Sequence, residues 1–101
     1  METYDLKLAT AGNFRNRAAE TQIFFESEIP VRAEVIEVID LSNHLNLERA
    51  PFSVMFLTRD NLHTYPQNTY TLLHPTHGEM QVFLVPVGQD NQGTRYEAVF
   101  S

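Results

Sequence analysis

Apolar and polar residues alternate with a period of two along most of this chain, which is the spacing of pleated strands. "VRAEVIEVIDL", residues 31–41, opens with Val31, Ala33 and Val35 on one face. Beyond Val35 its apolar residues fall on both faces, which predicts a bulge near Val35–Ile36 or a strand covered on both sides. "FSVMFLT", residues 52–58, sets Phe52, Val54 and Phe56 against Met55 and Leu57. "TYTLLH", residues 69–74, pairs Tyr70 with Leu72 on one face. "EMQVFLVPV", residues 79–87, has Met80, Val82 and Leu84 on one face and Gln81, Phe83 and Val85 on the other. "TRYEAVF", residues 94–100, alternates Tyr96, Ala98 and Phe100, and "TQIFFE", residues 21–26, supplies a further short strand.

Turn residues separate these runs. "SEIP" and "PTHG" carry Pro30, Pro75 and Gly78, and "GQDNQG" is a polar hairpin loop with a glycine at each end. Residues 42–51 and 59–68 form longer polar connectors. Pro86 lacks a ladder donor and belongs at an edge, a bulge or a strand end. Hairpins are expected between strands four and five and between five and six. One short helix of about two turns fits residues 11–19, capped by Thr10 and weakened by Gly12 and Asn13, with Phe14 and Ala18 on its core side. Leu6 and Leu8 are expected to dock the N-terminus. The pattern therefore predicts a mainly all-β fold with one short N-terminal helix and six antiparallel strands in a sandwich or small barrel. Neither an internal repeat nor a low-complexity segment stands out.

Several strands are apolar on both faces, as at Phe24 and Phe25, Met55 and Phe56, and Leu84 and Val85. One open sheet cannot hide both faces, so a second sheet, closure into a barrel or a partner subunit must cover the surplus. An edge strand would also invite pairing with another chain.

Length and composition keep the picture within one small domain. The chain has 101 residues, 43% hydrophobic and 20% charged, which suits a globular domain with a modest core. Its net charge is −6 and its only lysine is Lys7. Phosphate backbones attract basic surfaces, so nucleic acid is not an expected partner. No basic start with an apolar core suggests a signal peptide, and no run of roughly 20 apolar residues suggests a membrane span. The cytoplasm is the default expectation, with export as part of an assembly as the alternative. Cysteine is absent, which excludes disulfides, thiolate metal sites and cysteine nucleophiles.

The candidate chemistry is sparse. His74, His77 and Glu79 fall within six residues, and two imidazoles with a carboxylate are zinc-type ligands. Pro75 and Gly78 account for the same segment as a turn, and the spacing matches no helical H-E-x-x-H motif. A metal centre is thus the lesser reading, and no cofactor is expected. The serines Ser27, Ser42, Ser53 and Ser101 lie in no G-x-S-x-G elbow. Asp40, His44, Asp60 and His63 fall in or beside the connectors, where polar residues are ordinary. Asp90 alone in "GQDNQG" falls short of a calcium loop. No catalytic residue is assigned. Asp60, His63, Tyr65, Gln67 and Tyr70 combine aromatic faces with polar groups, the composition of a small-ligand, carbohydrate or partner loop.

From Pro51 onward, "PFSVMF", "PQNTYTLLHPTHGEMQVFLVPVG" and "YEAVF" resemble a small bacterial family of domains of unknown function. Its members carry Pro-Phe-Ser, Gln-Gly-Thr-Tyr, His-Pro, Phe-Leu-Val-Pro-Val-Gly and Tyr-Glu-Ala-Val-Phe in that order. Asn68 departs from the family's usual glycine. The likeness is strong over the C-terminal half and weak over the rest. It implies no enzymatic activity. Its association with phage-tail-collar-like proteins implies an accessory or structural subunit. The expected function is a non-enzymatic structural or protein-interaction module, with a protein partner or homo-oligomer. A small-ligand or carbohydrate-binding domain is the alternative, and a metal-dependent enzyme the last.

Overall fold

The computed structural model describes residues 10–15, 21–26, 28–41, 50–59 and 63–100. They form one helical turn, α1 (Gly12–Arg15), and six strands: β1 (Thr21–Phe24), β2 (Val31–Asp40), β3 (Phe52–Thr58), β4 (Asn68–His74), β5 (Gly78–Asp90) and β6 (Gly93–Phe100). All neighbouring strands run antiparallel, and they close into a barrel in the order β1-β2-β3-β6-β5-β4. Of the two architectures the alternation allowed, the barrel is the one formed. Closure gives every described strand a neighbour on each side, so none lies wholly at a sheet edge.

The barrel consists of two meanders, β1-β2-β3 and β4-β5-β6, joined through β3–β6 and β1–β4. Each middle strand divides its pairing. The start of β2 pairs with β1 and its remainder with β3; the start of β5 pairs with β4 and its remainder with β6. Each carries a register shift, between Val35 and Glu37 in β2 and between Pro86 and Gly88 in β5. An extra residue bends its strand and increases twist, which lets one strand serve two sheets. The expected bulge at Val35–Ile36 is therefore present, and Pro86 flanks the second. The halves repeat each other's topology although no repeat is visible in the sequence.

Inward residues fill the interior. Ile23, Ala33, Val35, Val54, Phe56, Leu72, Met80, Val82, Leu84, Tyr96 and Ala98 are all buried. Aromatic rings close both ends. At one end Phe14 of α1 lies against Phe52, Phe56, Phe100 and His74, with ring centroids 5.3–6.2 Å apart. At the other, Phe25 meets Tyr65, Tyr70 and Tyr96 at 4.4–5.0 Å.

The first helical bond runs from the Arg15 N–H to the Ala11 carbonyl, at 3.2 Å, so the turn opens one residue later than a Thr10 cap implies. Leu6, Leu8 and Ala18 lie outside the described residues. An exposed ion pair of 2.6 Å joins Arg15 to Asp40 at the end of β2. "GQDNQG" is shorter as a loop than expected: Gln89 pairs with Thr94 and Asp90 with Gly93, leaving a two-residue connection. The Asp90 carboxylate accepts from the Gln92 N–H at 2.8 Å and pairs with Arg95 at 2.7 Å. These contacts hold its pKa below the usual carboxylate range, the Gln92 N–H most strongly. Local side-chain bonds thus satisfy a turn that composition presents as a long polar loop.

Candidate functional site

The strand alternation decides how the His74–His77–Glu79 segment is arranged. His74 ends β4 facing inward and is buried, packed edge-on against Phe14. Its Nδ1 accepts from the backbone N–H groups of Thr76 and His77, both at 3.1 Å. The neutral ring therefore carries its hydrogen on Nε2. Gly78, with φ of 80°, completes the turn in the left-handed region. The half-buried His77 ring lies 4.8 Å from that of His74. Glu79 pairs with Leu73 on the outer face, so it points away from His74. Among the described residues no group of three or more histidines and carboxylates is arranged to hold a metal ion.

Of the loop candidates, His63, Tyr65 and Tyr70 gather around Phe25 at one end of the barrel. Asp60 and His44 lie outside the described residues. Gln67 is exposed, and His63 meets Tyr65 edge-on at 4.6 Å. Tyr65 stacks on Phe25 with centroids 4.4 Å apart and planes within 5°. Its backbone N–H donates to the Tyr96 hydroxyl at 3.0 Å. Tyr70 is buried in the core, and its hydroxyl donates to the Pro66 carbonyl. The aromatics read as a ligand surface thus largely close one end of the barrel.

Burial raises the phenol pKa of Tyr96, against the lowering effect of the Tyr65 N–H. Burial also raises that of Tyr70, reinforced by Glu26, Tyr96 and Tyr65. A raised folded-state pKa gives stability that is full below the unfolded value of about 10. It is lost as pH climbs through the folded value. Thermal melts between pH 8 and pH 11 should show stability falling only above about pH 10. Tyr70→Phe should flatten that fall while losing about 1 kcal/mol at neutral pH with the Pro66 bond. An unaltered alkaline slope in the variant would contradict this origin.

Two outer surfaces were not assigned from sequence. The first crosses β2, β3, β6 and β5. Ser53 pairs with Ile39 on one side and Val99 on the other. Phe83 lies two residues before Val85 and Val99 two after Glu97; Val85 pairs with Glu97, so both sit toward the same end of the outer face. Ile39, Phe83 and Val99 are 44%, 52% and 58% exposed. The adjoining row is Glu37, Met55, Glu97 and Val85. The bulge residues Ile36 and Val87 are exposed apolar side chains too. The signal was present in the doubly apolar strands; what it lacked was knowledge of which face the barrel encloses.

The second surface is an open groove of about 520 Å³ lined by Phe24, Glu28, Thr71 and Glu79. Phe24 pairs with Thr71 and Leu73 with Glu79, placing these positions on the outer face of β1, β4 and β5. Glu28 reaches it from the β1–β2 connection. Among the described residues neither glutamate makes an ion pair. Its sequence signal was the apolar Phe24 beside the inward Ile23.

No helix among the described residues is long and apolar enough to cross a membrane. Comparison with curated proteins and with solved structures finds no match. A family profile, however, matches residues 8–100, nearly the whole chain. The outward Phe83 and Val85 and the bulge-flanking Pro86 all fall within that span, as do both meanders. The chain belongs to the family described as domain of unknown function DUF6916.

Proposed function

We propose that the chain is a non-enzymatic protein-interaction module, one that self-associates or docks as an accessory subunit of a larger bacterial, phage-tail-like assembly. It would reside in the cytoplasm or leave the cell with that assembly. The observation that carries this reading is the outer apolar row of Ile39, Val99 and Phe83. The barrel's own interior is filled without these side chains, so they add nothing to its core. Contiguous exposed apolar surface is characteristic of protein-contact sites. The phage-tail setting is supported only by the family resemblance described from the sequence.

Val99→Lys and Phe83→Lys test the reading. Both side chains are more than half exposed, so each variant should change barrel stability by only about 0.5 kcal/mol. The wild-type chain is expected to form oligomers in light scattering across a concentration series, or to co-purify with a defined partner. Both variants should lose that association, since a lysine ammonium would be desolvated in the contact. A strictly monomeric wild-type chain that retains no partner from its source cells would remove the proposal.

A further inference from the structure

We propose that the groove formed by Phe24, Glu28, Thr71 and Glu79 receives a lysine or arginine side chain from a protein partner. This rests on reading the chain as an interaction module and adds the chemistry of what it contacts. The groove is distinct from the row of Ile39, Val99 and Phe83. It lies on β1, β4 and β5, whereas that row crosses β2, β3, β6 and β5.

Charge and shape select the occupant together. Two carboxylates, Glu28 and Glu79, line a groove that also presents the half-buried ring of Phe24. The chain carries a net charge of −6, which disfavours an anionic guest. Neither glutamate is neutralised by a basic neighbour among the described residues. Arg32 shares a ladder row with Glu79, but Gln22 and Leu73 intervene. That places Arg32 roughly 14 Å from Glu79 by strand spacing. A bare metal ion would use the carboxylates and leave the ring idle, and no three-ligand metal group exists among the described residues. A basic side chain uses every part. Its aliphatic stem covers the Phe24 ring, its charge meets the ring face, and its N–H groups donate to carboxylate oxygens. Because the groove is open along the surface, it admits a side chain still attached to a backbone.

Titration of the ¹⁵N-labelled full chain with acetyl-Gly-Lys-Gly-amide tests the inference. The norleucine analogue removes the charge and keeps the stem. The lysine peptide is expected to shift the amides of Phe24, Thr71 and Glu79 saturably, with a dissociation constant on the order of millimolar. Norleucine should bind at least about fivefold more weakly. Glu28→Gln and Glu79→Gln should each weaken lysine binding about threefold to fivefold, the effect of losing one exposed ion pair. Unchanged melting temperatures would show that these isosteric variants remain folded. Equal shifts with both peptides, or unchanged affinity in both variants, overturn the inference. So does tighter saturation of the same amides by calcium chloride. Val99→Lys separates the two proposals. It should retain lysine-peptide binding while losing association through the apolar row. Association that depends on Val99 without any lysine-peptide binding would remove the groove proposal alone. Lysine-peptide binding without association would remove the apolar-row reading alone.

Discussion

Phe14→Ala should lower the stability of the barrel by about 3–5 kcal/mol, the cost of removing a fully enclosed phenyl ring. Phe14 is wholly buried and is the common neighbour of four rings: Phe52, Phe56, His74 and Phe100. Phe52 and Phe100 stack on each other at 4.7 Å, which restrains both from collapsing into the space left behind. The side chain is supplied by one helical turn, Gly12–Arg15. A single turn has no stability of its own in water, so it is docked by the ring it carries. Its other anchor, the exposed Arg15–Asp40 pair, contributes little. A domain of this size shifts its melting temperature by roughly 4–8 °C per kcal/mol. The loss is thus comparable to the whole stability of many small proteins. Chemical denaturation of the variant measures it directly. A loss below about 1 kcal/mol would mean that the end of the barrel repacks without this ring.

The second large effect belongs to a residue with no side chain. Gly93 has φ of 140°, a conformation that other residues rarely adopt. A Cβ there would lie 2.1 Å from the Thr58 carbonyl oxygen and 2.9 Å from the Arg59 Cα. Both are backbone atoms, and Thr58 is held in the β3–β6 ladder opposite Thr94, so neither can rotate aside. Gly93→Ala should cost about 1–3 kcal/mol from backbone strain alone. It should cost more as β3 and β6 are forced apart. Gly88→Ala provides the comparison. Nothing lies within 4 Å of its Cβ position, so that variant should be nearly neutral. Equal melting temperatures for the two would refute the steric origin.

The strands were legible wherever alternation was strong. Residues 52–58 form β3 as read, and the bulge at Val35–Ile36 announced itself by its phase change. Closure was not legible, because the β1–β4 contact joins Gln22 to Leu73 across two intervening strands and their connections. Period-two patterning says which residues share a face; it does not say which distant strands meet. The extent of β5 and β6 was hidden for another reason. Gly88, Gln89, Asp90 and Gly93 are turn-forming types that continue a ladder here.

The candidate sites show the same limit. His74 and Glu79 are neighbours in sequence, but one faces inward and the other outward. Tyr70 looked available beside a polar loop, yet its alternation with Leu72 already placed it with core residues. The groove was illegible because Phe24, Thr71 and Glu79 come from three strands.

The brevity of β1 has a mechanical consequence. It has four residues, and each flank is fastened by only three paired positions. In a cask of six staves this is the thinnest, and structures part first where fewest bonds must break together. Phe24 belongs to that stave and Glu79 to one beyond its neighbour. A guest gripping both would act as a rivet across the seam, so occupancy and resistance to unzipping would rise together.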